Sequence, residues 1–70
     1  MTISEKNRVI ARRKKIDLTT LAAKTNQTRQ NLSNKLTRNN WTEDQARAAA
    51  SALGCSFDPV FIDNETGEQL

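Results

Sequence analysis

The apolar positions of this chain fall into short runs with helical spacing, most of them opened by a residue suited to capping. Thr2-Ile3-Ser4-Glu5 has the form of a capping box, a hydroxyl at the cap and a carboxylate three residues on, which satisfies two otherwise orphan backbone donors. Behind it the pattern predicts a helix from about Ile3 to Lys15, with Ile3 and Ile10 on one face and Arg12-Arg13-Lys14-Lys15 at its negative end. Asp17 caps a second, short helix from Leu18 to about Thr25, with Leu18, Leu21 and Ala22 inward. Asn26 stands where a left-handed residue turns the chain. Thr28 then caps a third helix, Arg29 to about Leu36 or Thr37, in which Leu32 and Leu36 share a face. A polar loop, Thr37-Arg38-Asn39-Asn40, leads to a second capping box, Thr42-Glu43-Asp44-Gln45, with Trp41 placed to staple the helix entry. The fourth helix runs to Leu53 with a flat face of Ala46, Ala49, Ala50 and Leu53, and Gly54 terminates it. The tail changes character. SFDPVFID is strand-forming, with Pro59 at a start or an edge, and Asp63 to Glu68 reads as a hairpin turn with Gly67 at positive φ. The predicted fold is mainly α, four compact helices in residues 1–54, with a short C-terminal β strand or hairpin in residues 55–70 of the same domain.

Length and composition narrow what such a fold can do. At 70 residues there is room for one domain, which buries only about 60% of the surface its unfolded chain exposes. No disulfide helps, because Cys55 is alone, and without His there is no plausible zinc cluster. Cys55, between Gly54 and Ser56, reads as a small half-buried hydrophobe. The N-terminus is too polar for a signal peptide and no apolar run is long enough to span a bilayer, so a reduced, cytoplasmic, soluble domain that gains stability by dimerising is expected. With no His or Tyr, one Cys and no Gly-rich loop, no set of nucleophile, base and orienting group can be assembled, so neither catalysis nor a cofactor nor a small-molecule substrate is expected.

Charge is informative once divided along the chain. Residues 1–41 carry ten Lys or Arg against Glu5 and Asp17, a balance of +8; residues 42–70 carry one Arg against six acids, a balance of −5, and the two give the net +3. A basic front and an acidic back suggest one face for a polyanion and another turned away from it. Basic side chains also merely solvate helices, so the division alone does not decide the matter.

Two short helices, Leu18–Thr25 and Arg29–Leu36, joined by about three residues have the geometry of a helix-turn-helix. The segment IDLTTLAAKTNQTRQNLSNKL, residues 16–36, resembles the phage-repressor and Cro-like (XRE-type) helix-turn-helix family. Leu21-Ala22 match its Leu-Ala pair, Thr28 its hydroxyl cap, and Leu32-Ser33 its apolar-Ser pair. The resemblance covers about residues 3–54. It implies a lambda-repressor-like DNA-binding domain and, as the family's commonest output, transcriptional repression by a dimer that occludes a promoter. The chain departs from the pattern at three places. Asn26 replaces the usual Gly, Gln27 stands where an apolar residue plugs the turn, and Leu18 stands where many members have a Gln that touches a phosphate. Leu18 is therefore expected in the core or an interface.

In such a motif the second helix lies in the major groove. With Leu32 and Leu36 buried, Arg29, Gln30, Ser33 and Asn34 face the bases. Arg spans guanine O6 and N7, and Gln or Asn spans adenine N6 and N7. Arg29 and Gln30 sit at the end of the helix that reaches deepest. Gln, Asn and Ser are poor helix formers to spend on solubility, and the Glu/Lys pairs of a merely solvated helix are missing. Thr28, Asn31, Lys35, Thr37, Arg38, Asn39 and Asn40 flank the helix as phosphate candidates, which position the protein without reading sequence. Asn31 has the alternative of bonding locally near the helix start. Arg12 to Lys15 add to the field. Trp41 is expected in the core rather than as a stacking platform, and Arg47 is expected to pair with Glu43 at (i, i+4).

The tail offers a second surface. Phe57, Val60, Phe61 and Ile62 are the candidate dimerisation residues, because an exposed strand edge invites pairing with its twin. A homodimer then presents two reading helices to half-sites roughly 10 bp apart on double-stranded DNA. The competing expectation is a protein-interaction module, such as an antitoxin-like partner-binding protein that uses residues 57–70. RNA is a weaker choice, since A-form RNA closes its major groove to side chains.

Overall fold

Every helix of this chain starts on a side chain that the sequence supplies for the purpose. In the computed structural model, which describes residues 1–69, there are four: α1 Ile3–Lys14, α2 Leu18–Lys24, α3 Arg29–Arg38 and α4 Glu43–Ala52. The Thr2 and Thr42 hydroxyls accept the N–H groups of Glu5 and Gln45, and those two side chains return the bond to the cap backbone, so both capping boxes close. Asp17 accepts the Thr20 N–H at 2.7 Å and Thr28 that of Asn31 at 3.1 Å. Asn26 is left-handed at φ 54, as its place in the turn requires. The first helix ends one residue earlier than its pattern predicts. Lys15 is itself left-handed at φ 57, and its N–H caps the carbonyls of the last turn.

The core is small and lies between all four helices. Leu21, Ala22, Leu32, Leu36 and Leu53 form its centre, with Ile10, Ile16, Leu18, Trp41 and Cys55 packed around it. Ala46 and Ala49 give α4 the flat buried face its sequence foretells. On α1 the expected inward pair is only half-buried, and the deepest positions are polar, Ser4 and Asn7. Asn7 is half satisfied: its amide donates to the Ile3 carbonyl at 2.9 Å, while its buried Oδ1 accepts no hydrogen bond. Ser4 accepts the Trp41 indole N–H at 3.0 Å and donates its own backbone N–H to Asn39 Oδ1 at 3.1 Å. Lys14 ties the other end of α1 to α4, donating from Nζ to the Leu53 carbonyl at 2.7 Å. It thereby satisfies an acceptor that a helix end leaves without a partner.

The C-terminal segment corrects one expectation. The turn over Asp63–Glu68 forms, with Gly67 at φ 76 and the Asp63 N–H donating to the Glu68 carbonyl at 2.8 Å. Among the described residues, however, no strand or sheet flanks it; one antiparallel bridge, Ile62 with Gln69, is all that pairs. A lone hairpin is marginal in water, and Pro59 removes a donor from the arm that would extend it. Residues 58–69 are exposed throughout, and Leu70, the last residue of the proposed partner-binding tail, lies outside the described residues. No helix among the described residues is long and apolar enough to cross a membrane.

Candidate nucleic-acid interface

The corner between α2 and α3 decides where α3 points. Its third residue is Gln27 where an apolar plug was missing, and polar bonds close the corner instead. The Gln27 N–H donates to the Ala22 carbonyl at 3.0 Å, and its side-chain amide donates to Thr25 Oγ1 at 2.8 Å. Thr25 passes its own hydroxyl proton back to the carbonyls of Leu21 and Ala22. With the turn fixed, Thr28 starts α3, and Leu32, fully buried, anchors it together with Leu36.

The opposite face of α3 is free. Arg29, Gln30 and Asn34 are exposed, and Gln30 Nε2 donates to Asn34 Oδ1 at 3.1 Å across one turn. Ser33 differs from these three: it is half-buried, on the flank that faces α2. There it shares a shallow hollow with Leu18, Arg29 and Gln30. On the other flank a second hollow, of about 430 Å³, is lined by Asn31, Asn34, Lys35, Arg38 and Asn40. Gln27 and Gln45 close that hollow from the turn and from the start of α4. Neither was a candidate by sequence. Only the packing of α4 and the turn beside α3 brings them there, and no spacing in the chain encodes it.

The remaining phosphate candidates are divided. Thr28 is exposed, but its hydroxyl already serves the α3 cap. Asn31 places its backbone N–H in that cap and also lines the second hollow. Thr37 and Asn39 lie together with Thr2, Glu5 and Arg8 at the start of α1. Asn39 is left-handed at φ 51 and commits its carbonyl oxygen to Ser4. Lys35 rests its ammonium 5.7 Å from the centre of the Trp41 ring, an arrangement that attracts a cation to the ring face. Trp41 itself is half-buried against the core, with its N–H on Ser4, as a core residue would be.

Electrostatics reinforce the difference between the faces. From Leu18 to Thr42 the chain holds no carboxylate, while Lys24, Arg29, Lys35 and Arg38 fall within that stretch. The two acids of the front half are both engaged with backbone. Glu5 is held below the ordinary carboxylate range chiefly by the Thr2 N–H. Asp17 is held low chiefly by the Thr20 N–H, with the Arg29 charge a smaller influence. In the back half Glu43 pairs with Arg47 at 2.7 Å, as the spacing predicts.

The four tail candidates do not share one environment. Phe57 is half-buried beside Ile3, Ala46 and Ala50, its ring 5.9 Å from the Arg47 guanidinium and its carbonyl accepting from Arg47 Nη1. Val60, Phe61 and Ile62 are open to solvent, Phe61 to 79%. Phe57 thus belongs to the helical body, and the apolar surface left over is the triplet that follows Pro59.

Comparison of the chain with known protein families, with curated proteins and with solved structures finds no match.

Proposed function

We propose that this protein binds double-stranded DNA sequence-specifically, as a small cytoplasmic transcriptional repressor of phage or mobile-element type that acts as a dimer on a palindromic operator. One observation carries the reading. A helix docked by Leu32 and Leu36 behind a tight turn presents Arg29, Gln30 and Asn34 outward, in a stretch of chain without a carboxylate. These are the side chains that pair bidentately with purine edges in the major groove. Ser33 reads from the flank. Lys35, Arg38, Asn31 and Asn40 line one side of the helix where a phosphate backbone runs when α3 enters the groove. The exposed Val60, Phe61 and Ile62 are the self-association surface, and the acidic tail that carries them keeps the seam away from the DNA. Dimerisation spaces the half-sites roughly 10 bp apart, and occupancy of a promoter excludes polymerase.

Binding-site selection from random duplexes, followed by affinity measurements across a salt series, tests this. An enriched imperfect palindrome, bound far more tightly than bulk DNA and with a steep salt slope, is the expected result. Weak binding that salt abolishes, with no enriched sequence, overturns it. The exposure of Val60, Phe61 and Ile62 would then favour the second reading, a module that binds a protein partner through its tail.

A further inference from the structure

Leu18 occupies an unusual place for a leucine. Its inner side packs against the core, yet it is only half-buried, and its outer side forms one wall of the hollow whose other walls are Arg29, Gln30 and Ser33. It is the one hydrocarbon wall in that group, set beside a guanidinium and an amide, with the capping carboxylate of Asp17 one residue away and within reach of the Arg29 charge. Apolar surface left against water is unfavourable, so the occupant that suits this wall carries an apolar group alongside hydrogen-bonding ones.

We infer that Leu18 is a specificity-determining residue, and that the hollow between it and α3 receives the 5-methyl group of thymine. This rests on the DNA-binding reading above. In the major groove the donors and acceptors of the four base pairs are read by groups such as Arg29 and Gln30; the thymine methyl is the feature they do not engage, and apolar contact reads it. Leu18 supplies that contact at the same end of α3, so a purine on one strand and a thymine beside it are recognised together. Cytosine lacks the methyl and leaves the leucine wall against water. Burial of one such carbon is worth about fourfold in affinity.

Deoxyuridine deletes the methyl and leaves every hydrogen-bonding group of thymine in place. The test is to replace each thymine of the selected duplex in turn by deoxyuridine and to measure affinity for the intact protein and for Leu18→Ala. One position per half-site is expected to lose about fourfold with the intact protein, and to lose nothing with Leu18→Ala. A fourfold loss that persists in Leu18→Ala overturns the assignment, because the methyl is then read elsewhere. In case the variant folds poorly, nuclear Overhauser contacts in the complex of the unaltered protein decide the same point. Contact between that thymine methyl and the Leu18 methyls supports the assignment, and its absence overturns it. A protein that binds its selected duplex but is indifferent to every uracil overturns the Leu18 assignment alone. A protein that enriches no duplex overturns both this and the DNA-binding reading.

Discussion

Gln30 and Asn34 hold each other across one turn of α3, amide to amide at 3.1 Å, with both residues open to solvent. Each keeps a free donor or acceptor beyond the shared bond, so the two present one fixed pattern rather than two independent rotors. In Gln30→Ala and Asn34→Ala the preference at defined base positions is expected to relax, each change costing about 1–3 kcal/mol of discrimination. The double variant is expected to lose less than the sum, since either single change already frees the partner. Affinities for single-base operator variants, closed into a double-mutant cycle, measure this. Thermal melts of all three proteins are expected to match the parent.

Lys35 and Arg38 stand on the flank of α3 that lines the hollow shared with Asn31, Asn34 and Asn40. Lys35→Ala and Arg38→Ala are expected to weaken all DNA sequences alike and to reduce the salt slope by about one unit each. Titrations of specific and random duplexes at several salt concentrations show it. A change in base preference would move the reading surface.

Asn39 combines a left-handed backbone with an acceptor for the Ser4 N–H. Asn39→Ala is expected to lose about 1–3 kcal/mol of stability in urea unfolding, from the strained φ and the lost bond together. Asn39→Asp keeps both features and is expected to fold like the parent. Its added negative charge near the helix proposed to meet DNA is expected to lower affinity, which separates the structural role from the electrostatic one.

Acid is expected to destabilise the fold through Glu5 and Asp17, whose carboxylates are both held below their ordinary values by backbone N–H groups. Between the folded and unfolded values the unfolded chain binds more protons. Their contribution is therefore complete above the ordinary carboxylate range, about pH 4 to 5, and is lost as pH falls through the folded values. Melting temperature against pH measures it. Asp17→Asn retains an acceptor at the α2 cap and is expected to flatten part of the decline.

Removal of residues 58–70 leaves Phe57 seated on α1 and α4 and takes away Val60, Phe61 and Ile62. Self-association, followed by sedimentation, is expected to fall sharply while helix content and melting temperature change little. A dimer that survives the deletion would place its interface on the helices.

What was legible in the sequence is what is decided within a few residues. The caps at Thr2, Asp17, Thr28 and Thr42, the left-handed Asn26 and the Asp63–Glu68 turn are all local, and each stands where the pattern put it. Periodicity also turned Leu32 and Leu36 inward and so exposed the other face of α3. The bonds that join distant segments were not legible. Ser4 to Asn39, Ser4 to Trp41 and Lys14 to Leu53 each span more than thirty residues, and no spacing rule reaches that far. Lys14 read as one more basic side chain at a helix end, and Asn39 as one more loop amide. The tail strand is not seen for another reason: strand propensity expresses packing against neighbours, and residues 58–62 are exposed, with Ile62 alone paired, to Gln69.

The seat of Trp41 gives the molecule an optical property. It is the only tryptophan, and the chain has no tyrosine to obscure it. Its indole N–H is fixed on Ser4 and a lysine ammonium hovers over its face. When an anion draws Lys35 aside, the electric field across that ring changes, and the colour of its emission with it. Tryptophan emission is therefore expected to report, without a label, an anion bound at that flank of α3.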